Sequence, residues 1–197
     1  MEKEKEATAN SRPQVRSMAI TALMAAVLCI IGPLSVPIGP IPLSLCLVGI
    51  YLSAYVLGMK HGTIAVLIYI LLGAFGAPVF TGFAGGPAKL FGPTGGYIAG
   101  YILTALICGA FIELTENKKD SLNRFAVIAI QLIGMIIGLA ACYLLGTLWF
   151  MFSAKVGFTQ ALMTCVVPFV VFDLIKIALG MTLGLTIKKA LKIANLI

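Results

Sequence analysis

Charge is what this sequence has least of: 11% of its 197 residues are Asp, Glu, Lys or Arg, while 60% are hydrophobic. A soluble domain carries roughly a quarter charged residues, so this chain cannot clothe a globular surface in polar groups and its solvent is lipid. Cysteine is sparse and odd in number, with Cys29, Cys46, Cys108, Cys142 and Cys165 widely spaced in apolar surroundings. Without a CxxC or a histidine near any of them, neither a metal site nor a disulfide framework is indicated; they read as small packing residues. The lone His61 falls in the short turn Met59–Gly62. G-x-x-x-x-G-K-[ST] is missing, which excludes nucleotide binding by a P-loop. HExxH, a paired Ser/His and a second acid near Asp173 are missing too, so the chain does not read as an enzyme and no cofactor is implied. Uphill transport would need an ion gradient or a partner protein.

What is there is a succession of long apolar runs. A helical crossing of the hydrocarbon core takes about twenty residues, and the length accommodates six. They are expected at about 18–36, 42–59, 63–77, 95–114, 125–152 and 159–187, giving an all-α, six-helix membrane bundle over 16–197. Residues 1–15 are polar and read as a flexible or amphipathic cytoplasmic arm. No A-x-A-like cleavage site closes the first apolar run, so it reads as an uncleaved span.

The net charge of +7 is distributed like that of a membrane protein, not a nucleic-acid binder. Eleven of the 14 basic residues fall in the N-terminal tail, at Lys60, at Lys118, Lys119 and Arg124, and at Lys188, Lys189 and Lys192. These are alternate connections, which places them and both termini in the cytoplasm of a cell-membrane protein.

Two stretches carry chemistry. Residues 78–96 (PVFTGFAGGPAKLFGPTGG) are rich in glycine and proline yet mostly apolar, unsuited to a long regular helix. Irregular backbone at membrane depth must line a cavity or be covered by protein, so the segment reads as a lid or pocket wall. Its last residues open a helix whose free N–H groups can receive an acceptor, and Lys89 adds a positive charge; a plain outer loop is the alternative.

The second stretch is Pro168–Lys176, PFVVFDLIK. Asp173 and Lys176 are the only two charged residues in the interior of any expected span. Counted back from Lys188 they lie roughly 22 and 18 Å from the inner boundary at 1.5 Å per residue, on the lid's side. Their i,i+3 spacing puts them on one helix face, and lipid would force them inward to stabilise each other. Such a pair suits a neutral head that places N–H groups beside a carbonyl; a merely structural ion pair is the competing interpretation. Tyr97, Tyr101, Gln131 and Tyr143 are the supporting polar groups, with Gln131 and Tyr143 able to share one interior face.

Gly76-Ala-Pro-Val-Phe-Thr-Gly-Phe83, Gly85-Gly86 and Gly92-Pro-Thr-Gly-Gly-Tyr97, followed by Pro168-Phe169 with Asp173 and Lys176 and preceded by Pro40-Ile-Pro-Leu-Ser-Leu45, resemble the BioY family. Its members are the biotin-specific S components of energy-coupling factor transporters. The resemblance implies a bundle that binds biotin from outside and docks on a membrane scaffold with two ATPase subunits. It implies that Asp173 and Lys176 contact the ureido ring. The capping loop would contribute Thr81, Gly82, Phe83, Lys89, Pro93, Thr94, Gly95 and Tyr97, and Tyr143 would line the apolar part. The small-residue face at Ala22 and Ala26 would meet the scaffold. An S component for another small vitamin, or a solitary gradient-driven transporter, is the alternative. Two departures stand out: Ser44-Leu45-Cys46 replaces the family's Thr-Leu-Gln, and Phe83-Ala84 replaces a polar residue in the loop.

Overall fold

The structure is a computed structural model that describes residues 2–37, 41–118, 121–194 and 196. Residues 38–40, in the connection between the first two expected spans, and Lys119, in the fourth connection, lie outside the described residues.

The chain is helical almost throughout. Helix α1 spans Glu2–Ile31, so the polar arm is drawn in backbone terms as one helix with the apolar stretch Val15–Ile31. It stops at Gly32-Pro33, where proline cannot continue the ladder. A small antiparallel ribbon follows, β1 (Ser35–Val36) pairing with β2 (Leu43–Ser44).

Helix α2, Cys46–Ala74, is two helices joined at Gly58, whose φ of 72° and ψ of −165° are not helical and suit a residue without a Cβ. A Cβ on Gly62 would stand only 3.0 Å from the carbonyl oxygen of Ser53. Nine residues of straight helix would separate them by about 13 Å along the axis. Residues 46–57 and 59–74 are therefore a hairpin folded back on itself. The reversal sits at Gly58 rather than in the expected Lys60–Gly62 turn, and His61 is helical. The Met59 N–H donates to Glu113 Oε1 at 2.8 Å, which sets a carboxylate on a helix start where negative charge is favoured.

The Gly/Pro-rich segment holds one short helix, α3 (Pro87–Phe91), and an isolated bridge between Phe80 and Ala84. Helix α4 (Gly95–Asn117) runs three residues beyond the expected end. Helix α5 (Arg124–Ala154) opens on Asn123, whose Oδ1 accepts from the Ala126 N–H at 2.7 Å, a side-chain N-cap.

The last expected span is not continuous. It divides into α6 (Phe158–Cys165) and α7 (Val170–Ile193), with turns over 166–169. Pro168 has no N–H for the ladder and its ring clashes with the preceding turn, so the helix restarts after it. The restart puts Asp173 in the first turn of α7, where the helix dipole favours an anion.

Helices α4, α5 and α7 are each long and apolar enough to cross a membrane, and α2 meets the same measure only when its two halves are counted as one element. Helix α4 sits centrally, packed on both α2 and α5, while α7 packs chiefly on α2. Rings of α2 enter notches on α7: a Cβ on Gly180 would strike the Tyr51 ring, and one on Gly184 the Tyr55 ring. Two turns of close approach thus bind the helices, with Tyr51, Tyr55 and Ile177 buried between them.

Candidate functional site

Above those tyrosine-glycine contacts lies a cavity that opens outward, with about 660 Å³ of empty space when its open mouth is included. Helices α2, α4, α5, α6 and α7 and the connections around them contribute to it. The ribbon side gives Ile41, Pro42, Leu43 and Ser44; α2 gives Leu47 from its first half and Tyr69 from its second. The loop gives Phe80, Thr81 and Thr94; α4 gives Tyr97, Ile98 and Tyr101; α5 gives Cys142 and Tyr143. Cys165 closes α6, Phe169 precedes α7, and Asp173 and Lys176 complete the wall.

The lining is apolar and aromatic except along one side. There Lys176 Nζ donates to Asp173 Oδ1 at 2.6 Å. Tyr143 donates its hydroxyl to Asp173 Oδ2 at 2.5 Å. Asp173 is 3% and Lys176 5% exposed, so each charge depends on the other for compensation. An ionised carboxylate has about four acceptor sites and an ammonium three donors. After the two bonds seen here, both groups keep capacity for a ligand. The cluster can meet N–H donors at Asp173 and a carbonyl acceptor at Lys176 from one direction.

Of the residues named from the sequence, the cavity brings together Asp173, Lys176, Thr81, Thr94, Tyr97, Tyr101 and Tyr143. Gly82, Phe83, Lys89, Pro93 and Gly95 do not line it. Phe83 adopts a positive φ of 57° and is exposed, as are Gly82 and Pro93. Gly95 is buried behind the wall, where a Cβ would collide with the Leu90 carbonyl oxygen. The Trp149 indole N–H donates to the Gly92 carbonyl at 2.9 Å and ties this stretch to α5. Ala22 and Ala26 are exposed on α1, opposite the buried Thr21, Met24, Ala25 and Leu28.

Gln131 is not near Tyr143. Twelve residues of α5 separate them by about 18 Å. The Gln131 Nε2 donates to Thr115 Oγ1 at 2.7 Å, and its Oε1 accepts from the Tyr55 hydroxyl at 3.1 Å. It belongs to a buried polar cluster below the cavity. Cys46, where the family's glutamine would stand, is fully buried and off the lining; Ser44 instead reaches the cavity while its Oγ accepts from the Cys46 N–H at 3.0 Å.

Sequence reasoning did not single out Leu47, Tyr69, Phe80, Ile98, Cys142, Cys165 or Phe169 as lining. The Tyr69 ring stands edge-on to Phe80, 5.6 Å between centroids at 88°, so helix and loop share one aromatic wall. A usable signal was the i,i+4 pair Tyr97 and Tyr101, since Tyr101 was already noted as a polar group and α4 carries both to the same face.

The BioY family pattern matches residues 2–193. The chain belongs to the BioY family. It is 39% identical over 175 residues to the Biotin transporter BioY of Thermotoga maritima, covering 89% of this chain and 97% of that protein. It is 36% identical over 181 residues to the Biotin transporter BioY2 of Lactococcus lactis, covering 91% and 93%. Its fold is similar to a crystal structure of the S-component for biotin from an ECF-type ABC transporter, with a TM-score of 0.78, 31% identity, and 89% and 92% of the two chains covered. With several long apolar helices suited to crossing a membrane and transporters as relatives, this BioY-family chain is a multi-pass membrane protein.

Proposed function

We propose that this chain is the S component of a biotin uptake system: it captures biotin from outside the cell and delivers it through an energy-coupling scaffold. The observation that carries the reading is the Asp173–Lys176–Tyr143 cluster on one wall of an otherwise apolar cavity. Biotin has the matching division: a cyclic urea with two N–H groups beside a carbonyl, then a thioether ring and an aliphatic chain. The urea N–H groups take free lone pairs of Asp173, and its carbonyl takes a free Lys176 donor. The apolar remainder lies against Tyr69, Phe80, Tyr97 and Tyr101, and the carboxylate end points to the loop hydroxyls of Thr81 and Thr94. Gly82, Pro93 and Gly95 shape the covering loop from outside the cavity, and Phe83 and Lys89 belong to its outer side.

Helix α1, the two halves of α2, and α4, α5 and α7 make six crossings in the cytoplasmic membrane, with both termini inside. The alternation of Lys and Arg supports this orientation. The sequence has no P-loop, so a transmembrane scaffold with two ATPase subunits supplies the energy, and the exposed Ala22 and Ala26 permit close approach of a scaffold helix.

Titration of the detergent-purified protein with biotin tests the reading. Saturable one-to-one binding is expected; a folded protein that takes up no biotin contradicts it. Uptake by liposomes holding this chain alone would favour a solitary transporter.

A further inference from the structure

The cavity end of the bundle displays phenylalanine rings on its outer side. Phe75, Phe83, Phe91 and Phe152 expose 88, 67, 74 and 82% of their surfaces. They come from four places: the end of α2, the loop, the end of α3 and the last turn of α5. Phe83 and Phe91 belong to the same segment whose Phe80, Thr81 and Thr94 line the cavity. That segment is two-faced, walling the cavity on one side and presenting bare rings on the other.

These rings continue the lipid-facing stripes of the helices. Leu144, Leu148 and Phe152 follow one another at i,i+4 on α5, and Leu71 leads to Phe75 at the end of α2; all five are exposed. The occupant of the upper surface is thus the one that covers the stripes below it. Charge at this end has one sign. Lys89 lies between the loop's two exposed rings, and Lys155 caps α5 in a left-handed conformation with φ 54°. Neither joins an ion pair among the described residues. Every acidic residue outside the N-terminal tail and the far end is accounted for by Asp173, which Lys176 holds.

We propose that the outer face of the lid is a membrane-docking surface for anionic phospholipid. Its apolar rings are buried just below the headgroups, as Phe and Leu are on interfacial faces, and Lys89 and Lys155 reach up to phosphate, where each basic side chain gains from anionic lipid. The wall that closes the cavity is then supported by the bilayer. This rests on the chain spanning a membrane and not on which ligand the cavity takes.

Trp149 is the only tryptophan, hydrogen-bonded to Gly92 at 2.9 Å and 6.5 Å from the Phe152 ring centre, so its fluorescence reports on this surface. The full chain is placed in phosphatidylcholine vesicles with a fixed fraction of lipid brominated just below the headgroup, either phosphatidylcholine or phosphatidylglycerol. Both are expected to quench, the anionic lipid about twofold or more strongly, because two lysines enrich it locally. The double variant Lys89→Gln, Lys155→Gln should quench equally with either. Absence of quenching by both lipids puts the face in water and overturns the proposal. So do equal quenching in the unaltered protein and an anionic preference that survives the double substitution. None of these outcomes depends on biotin binding.

Discussion

The Tyr143 hydroxyl donates to Asp173 Oδ2 at 2.5 Å, and it joins two helices that otherwise scarcely touch. Helix α7 leans on α2, not on α5, leaving a space between α5 and α7 beside the cavity that both line. One hydrogen bond spans that space. It fixes the orientation of the carboxylate while Lys176 holds the other oxygen.

Tyr143→Phe removes this bond and leaves the ion pair. A hydrogen bond to a charged group is worth about 1.5–3 kcal/mol, so biotin affinity should fall by roughly tenfold or more. The protein should still fold, since the ring and its packing remain. Calorimetric titration beside a thermal melt checks both. Unchanged affinity would show that the Asp173 orientation is set by Lys176 alone.

Two buried groups below the cavity should respond in opposite ways. The Tyr51 hydroxyl is buried with no hydrogen-bond partner among the described residues, so Tyr51→Phe should leave stability equal or raise it by up to about 1–3 kcal/mol. Gln131→Ala should instead lower it by about 1–3 kcal/mol, because Thr115 and Tyr55 lose their shared partner. Biotin affinity should hold in the Gln131 variant. Denaturation midpoints in detergent for the two variants are the measurement.

Ala26→Trp places a large ring on the exposed face of α1, away from the buried Met24, Ala25 and Leu28. Binding by the isolated chain should be unchanged. Uptake by liposomes that also contain the scaffold and ATPase subunits should fall at least tenfold, because a close helix contact needs small residues. Normal uptake would move the docking face elsewhere.

The sequence exposed the polar half of the site more readily than the apolar half. Asp173 and Lys176 were visible because a charge within an apolar run has few explanations, and their i,i+3 spacing already set them on one face. Composition marked the loop that holds Thr81 and Thr94 as too rich in glycine and proline to be a span, and the resemblance to the BioY family named the two residues. Tyr69, Phe80 and Phe169 carry no such mark, since an aromatic residue in a membrane helix reads alike whether it meets a cavity, the core or lipid. Gln131 does not join Tyr143: twelve residues of helix turn it about 120° away and carry it about three turns along the axis, in reach of Thr115 and Tyr55 instead. The break at Pro168 was hidden by apolar residues on both sides, which hydropathy cannot separate. The reversal at Gly58 was displaced because Lys60 and His61 look like loop residues, whereas only the backbone at Gly58 leaves helical geometry.

The central claim is that Asp173, held by Lys176 and Tyr143, receives the N–H groups of the urea ring. The most direct test is the equilibrium affinity of Asp173→Asn for biotin, measured on protein whose melting curve shows it folded. The substitution keeps shape but removes the negative acceptor and leaves Lys176 buried without its counter-ion. Loss of a charged hydrogen-bonding partner predicts affinity weakened by well over tenfold. Affinity equal to that of the unaltered protein would contradict the assignment and move the ligand's polar head away from α7.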